Sequence, residues 1–128
     1  MFSHVVVGAD DLARAKTFYD AVFAALGVGP GVPLSETRLL YRRPGSPNFM
    51  VTKPINGGAA TNANGGTIGF AAESPEAIDA WHAAGCANGG TSCEDAPGVR
   101  EMGAFKFYSA YLRDPQGNKL CAMHSFGG

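Results

Sequence analysis

The chain repeats itself, and that repeat limits the folds open to it more than any other feature. His4 to Gly27 and Thr67 to Gly90 align without a gap at an offset of 63. Each stretch opens on a short run suited to a strand, Ser3-His4-Val5-Val6-Val7 in one and Thr67-Ile68-Gly69-Phe70 in the other. Apolar residues at three–four spacing follow. Leu12, Ala15, Phe18, Tyr19, Val22, Phe23 and Leu26 mark one face of a first helix, and Ile78 and Trp81 the inner face of a second. Asp10 or Asp11 can cap the first helix by accepting from its free N–H groups. Ser74 can cap the second, with Pro75 at the first helical position, where no N–H is needed. Gly27 and Gly89-Gly90 end them.

A second match follows at an offset of 70. Leu40-Tyr41-Arg42-Arg43, a reversal through Pro44 to Asn48, and Phe49-Met50-Val51 read as one hairpin. Ala110-Tyr111-Leu112-Arg113, a reversal through Asp114 to Asn118, and Lys119-Leu120-Cys121 read as the other. In this alignment Tyr41 meets Tyr111 and Arg43 meets Arg113. Asp114-Pro115-Gln116-Gly117 carries turn chemistry, with Asp at the start, Pro presetting φ and Gly at the end. Asn56 to Gly66, rich in Gly, Asn and Ala, reads as a linker. Two units are too few for a solenoid, so the copies are expected to pair about a pseudo-twofold axis. Residues 1–128 form one domain on this reading, with module one at about 1–55, the linker at about 56–66 and module two at about 67–128.

Composition narrows the function classes. Ten basic residues stand against eleven acidic ones without a block of either sign, so charge alone recruits neither nucleic acid nor an anionic membrane. No apolar run approaches bilayer length, and Met1-Phe2-Ser3-His4 does not begin a signal peptide; a soluble cytoplasmic protein is expected. Cys86, Cys93 and Cys121 are odd in number and lack zinc or redox spacing, which argues against a disulfide framework.

Three segments carry a likeness to a known family. They are the His4-Val5-Val6-Val7 strand before its helix, the Thr67-Ile68-Gly69-Phe70 strand before the second helix, and Tyr111 to Leu120 with its Asp114-Pro115 turn. On them the chain resembles the vicinal-oxygen-chelate superfamily, which includes glyoxalase I, bleomycin-resistance proteins and extradiol dioxygenases. The resemblance spans essentially the whole chain. It implies an α+β fold of two βαβββ modules, their strands curving into an open cup-shaped mixed sheet with helices outside, and a homodimer.

The resemblance also implies four symmetry-related places for metal ligands, on the first and last strand of each module. His4 takes the first. Its repeat mate is Thr67, the third place falls on Val51, and the fourth, where a glutamate is usual, on Cys121. Histidine and thiolate suit a transition metal, whereas threonine is a poor ligand and valine none. No complete metal set is read and no cofactor is expected; a divalent ion held by His4 and Cys121 with outside help is the alternative. Strand alternation puts His4 with Val6, and Cys121 with Lys119 and Met123, on the cup side. Phe49 shares the parity of Val51 and would give the cup an apolar wall. Tyr111 matches the tyrosine that lines the cleft in the fosfomycin-resistance branch. Arg100, in Pro97-Gly98-Val99-Arg100, is expected on a loop over the cup, where it could meet an anion. His82 falls outside the cup and His124 has the opposite parity to Cys121.

Two functions remain open at this point. One is a metal-free binder of a small apolar or aromatic ligand through His4, Phe49, Val51, Thr67, Arg100, Tyr111 and Cys121. The other is a metal-dependent lyase, isomerase or thiol transferase of the glyoxalase type. The residues in the metal places favour the binder.

Overall fold

Strand register decides which side chains of this chain reach the core, because a shift of one residue exchanges the two faces of a strand. The computed structural model describes residues 1–127. The first module runs β1 (His4–Gly8), α1 (Leu12–Ala25), β2 (Val32–Ser35), β3 (Arg38–Tyr41) and β4 (Asn48–Thr52). The second runs β5 (Ile68–Ala71), α2 (Pro75–Ala87), β6 (Thr91–Ser92), β7 (Gly98–Met102), β8 (Phe105–Arg113) and β9 (Lys119–Ser125). The first sheet has the order β1-β4-β3-β2. The second has β5-β9-β8, with β6 and β7 succeeding one another along the outer edge of β8. In both sheets the first strand lies parallel to its module's last strand, and the other pairs are antiparallel. This is the expected α+β layout of two modules, and 53–67 contains neither helix nor strand.

The helices start where their caps dictate. The Asp11 carboxylate accepts from the Arg14 N–H at 3.0 Å, and the Ser74 hydroxyl accepts from the Ala77 N–H at 3.1 Å with Pro75 behind it. The helices pack on each other, and the helix-facing rows of both sheets share one core with them. Phe18, Val22, Ile78 and Trp81 are wholly buried there. Burial of each such side chain contributes about 1.5–3 kcal/mol. α2 approaches β8 closely at Gly85, where a Cβ would stand 2.3 Å from the Leu112 side chain. Phe49 bridges the modules, 5.3 Å from Phe23 and 5.5 Å from Phe70 between ring centres.

A polar clamp also joins the modules, with the Tyr19 ring centre 5.0 Å from that of Phe49. Buried Asp114 accepts from the Tyr19 hydroxyl at 2.5 Å and from the Asn118 amide at 2.9 Å, and that amide also donates to the Gly8 carbonyl at 2.9 Å. Burial pushes the Tyr19 phenol well above its ordinary range, and the Asp114 charge pushes it further, so its proton stays in the clamp.

Register overturns one expectation. β1 pairs Val5 with Phe49 and Val7 with Val51, while β5 pairs Ile68 with Leu120. Val5 maps on Ile68 at 63, so Phe49 maps on Leu120, an offset of 120 − 49 = 71 rather than 70. Phe49 and Val51 therefore face the helices, 6% and 0% exposed, and do not line the cup. The offset of 70 matched like residue types, Tyr41 with Tyr111 and Arg43 with Arg113. In the fold Tyr41 belongs to the core, whereas Tyr111 pairs with Cys121 on the other face.

Candidate functional site

On the face turned away from the helices, alternation from the core rows places Val6, Leu40 and Met50 in the first sheet and Ser109, Tyr111, Cys121 and Met123 in the second. The metal place assigned to Val51 thus belongs to Met50, the mate of Cys121 at an offset of 71. His4 is on this face too, exposed, with Ser3 Oγ 2.7 Å from its Nδ1.

The second sheet gathers the polar groups. Its edge is interrupted between β6 and β7 by residues 93–97. Within that segment Glu94 adopts φ 57°, a left-handed backbone that costs a non-glycine residue free energy. The Glu94 carboxylate forms an ion pair with Lys119, whose ammonium also lies 5.2 Å from the centre of the Tyr111 ring. Arg100 lies in β7, paired with Phe107, rather than on the expected loop, and folds back on the same segment, donating to the Asp95 carbonyl at 3.2 Å and the Ala96 carbonyl at 3.0 Å. Gly69 pairs with Cys121, and a Cβ on Gly69 would meet nothing within 4 Å, so space is open beside the thiol.

The electrostatics make these groups neutral donors rather than nucleophiles. Burial raises the pKa of the Cys121 thiol and the Glu94 charge adds to this. Tyr111, Arg100 and Lys119 oppose the rise without cancelling it. The thiol is therefore protonated at neutral pH, and it donates to the Ala122 carbonyl at 3.6 Å. Tyr111 is raised as well, first by burial and next by Cys121, with Arg100 opposing.

A cleft of about 530 Å³ opens between the sheets, walled by Val6 and Thr52 on one side, Thr67 and Lys119 on the other, and by Ala60 and Asn62 of the linker. Of the residues proposed from the sequence, Arg100, Tyr111 and Cys121 come together, and Thr67 lies in the adjoining cleft beside Lys119. His4 stands apart on the first sheet, and Phe49 and Val51 are in the core. His82 sits on α2, its Nε2 2.9 Å from Ser92 Oγ, and His124 contacts the Ala72 carbonyl at 3.1 Å, so neither joins the group. Glu94 and Ser109 were missed. Ser109 was available from the two-residue alternation with Tyr111; nothing local marks Glu94 for a left-handed turn.

The residues present do not fit a divalent-metal centre. The four places hold an imidazole, a thioether, a hydroxyl and a buried protonated thiol: His4, Met50, Thr67 and Cys121. Among the described residues no group of three His, Cys, Asp or Glu is placed to hold an ion.

Comparison with known proteins agrees with this architecture. The chain is similar to a glyoxalase/bleomycin resistance protein from Albidiferax ferrireducens, at 58% identity over 97% of this chain and 98% of that one, with a TM-score of 0.93. A glyoxalase/bleomycin resistance protein/dioxygenase family enzyme from Burkholderia phytofirmans shares the fold at 19% identity, over 94% and 95% of the two chains, with a TM-score of 0.72. So does a lactoylglutathione lyase from Agrobacterium tumefaciens, at 22% identity over 96% and 92%, with a TM-score of 0.65. No curated protein sequence matches. No helix among the described residues is long and apolar enough to cross a membrane. The profile of the glyoxalase/bleomycin resistance protein/dioxygenase superfamily matches residues 1–122, and the chain belongs to that superfamily.

Proposed function

We propose that this protein binds a small apolar or aromatic molecule on the concave face of the second sheet without a metal ion. One observation carries the reading. Where the family places metal ligands this chain has His4, Met50, Thr67 and Cys121, and the second face instead collects Tyr111, Cys121 and Arg100 beside apolar Phe107 and Met123. An apolar surface with a few convergent polar groups suits orientation of a ligand. A protonated thiol and a protonated phenol supply no base for proton abstraction.

The same faces leave Val6, Val32, Met102, Phe105 and Met123 between 38% and 67% exposed. Apolar surface of this kind favours a partner, and a homodimer that buries part of these faces around the ligand is part of the proposal.

Elemental analysis of purified protein followed by zinc and nickel titration tests it. No stoichiometric metal and no binding at micromolar metal are expected. Stoichiometric metal that is lost in His4→Ala would overturn the metal-free reading in favour of a metal-dependent lyase or isomerase.

A further inference from the structure

We propose that Arg100, Ser109 and Tyr111 form a carboxylate-binding corner, so that the ligand is an apolar or aromatic monocarboxylate. This rests on the small-molecule reading above and assigns the ligand's charged end.

Ser109 is the starting point. Its side chain is 0% exposed, and its hydroxyl has no hydrogen-bond partner among the described residues. A buried hydroxyl left unpaired destabilises a fold by about 1–3 kcal/mol, so a group that completes it gains accordingly. Ser109 pairs with Gly98 on one side and Met123 on the other, which puts its hydroxyl on the concave face next to Tyr111. Met123 is unbranched and 38% exposed, a cover that a ligand can push aside.

Arg100 is on the strand that pairs with Ser109, two residues beyond Gly98. A Cβ on Gly98 would stand 3.2 Å from one terminal nitrogen of the Arg100 guanidinium, so the guanidinium rests over Gly98, the residue paired with Ser109. The other terminal nitrogen donates to the Asp95 and Ala96 carbonyls, which holds the group in place. None of the ion pairs among the described residues includes Arg100. Half of a planar donor fork is thus oriented and unused, the arrangement that matches a carboxylate.

Charge sets the valence of the ligand. Lys119 is already paired with Glu94, which leaves one uncompensated cation at the corner. A single negative charge balances it, and a dianion would face the Glu94 carboxylate. The exposed phenyl of Phe105 and the thioether of Met123, on the same face as Ser109, offer the apolar body its contacts.

Calorimetric titration of the full chain with benzoate, benzamide and phenylphosphonate tests the proposal. Benzoate is expected to bind about tenfold more tightly than benzamide, since a hydrogen bond to a charged group is worth about that factor. Arg100→Met and Ser109→Ala should each weaken benzoate far more than benzamide and so remove most of that preference. Ser109→Ala is the cleaner variant, because it breaks no protein hydrogen bond, whereas Arg100→Met also frees the segment before β7. Equal affinity for benzoate and benzamide would overturn the carboxylate corner and leave the apolar-ligand reading standing. A benzoate preference that survives both substitutions, or tighter binding of phenylphosphonate, would also overturn the corner. Binding of none of the three would sink both proposals.

Discussion

The two concave faces are built on the same strands in the same order, yet they differ in chemistry at almost every matched position. Leu40 in the first sheet corresponds to Tyr111 in the second, Met50 to Cys121, Arg38 to Ser109 and Val6 to Gly69. The outer edges differ as well. In the first sheet β2 pairs with β3 through one irregularity in register, whereas the second edge breaks into β6 and β7. The segment between those pieces delivers Glu94 and leads into Arg100. Duplication supplied the scaffold twice, and the interrupted edge made only one copy a concentrated polar site.

The largest test concerns the register on which this comparison stands. Phe49→Ala is expected to destabilise the protein by about 3–5 kcal/mol as a core truncation. Met50→Ala, on the opposite face, should cost about 1 kcal/mol or less. Urea denaturation separates them, and a more damaging change at Met50 would reverse the assignment of the two faces.

Tyr19 and His82 occupy matching helix positions at an offset of 63. Tyr19→Phe should cost about 1.5–3 kcal/mol, because a buried hydrogen bond to a carboxylate is lost. His82→Ala should stay within about 0.5 kcal/mol. Similar losses at both would show that the modules are stabilised more symmetrically than the Asp114 clamp implies.

The concave faces themselves are tested by Phe105→Glu. The expected result is a halved molecular mass by light scattering with unchanged circular dichroism; an unaltered mass would remove this face from the proposed dimer.

The smallest effect is a pH dependence confined to the first module. Burial alone would raise the pKa of Asp20, but the Gly31 N–H, Lys16 and the Tyr41 hydroxyl hold it below the usual carboxylate value. A folded-state pKa below the unfolded one gives stability that is present at neutral pH and is lost as pH falls through the folded value. Asp20→Asn should therefore flatten the acid limb of the stability curve below about pH 4. An acid limb identical to that of the unmodified protein would show that Asp20 contributes nothing to it. The matching position in the second module is Ala83, which has no such dependence to lose.

The sequence revealed those parts of the fold that neighbours in the chain decide. Caps at Asp11 and Ser74, the buried helix faces and the Asp114 turn all follow from residues within one or two turns. The family likeness pointed to Tyr111 and Cys121, and Arg100 was read as a loop residue over the cup; the three do meet, with Arg100 on a strand. Phe49 and Val51 were misread because their face depends on pairing with β1, more than forty residues away. Residue likeness between the hairpins pointed to an offset one short of the paired one. Glu94 was hidden for a different reason: its positive φ has no glycine or asparagine to announce it.

The clamp of Tyr19, Asp114, Asn118 and Gly8 has a consequence for how the protein is made. Its contacts span 95 and 110 residues of chain, so they form only after nearly all of it has been synthesised. Until then β1 and α1 lack both the carboxylate that accepts a hydrogen bond from the Tyr19 hydroxyl and the amide that donates to the Gly8 carbonyl. Contacts between such distant residues slow folding, because the entropy of closing the intervening loop is lost before they form. A nascent first module leaves the ribosome with Phe23 and Phe49 short of the Phe70 ring that packs on them, and such uncovered apolar surface is prone to aggregation until the second module follows.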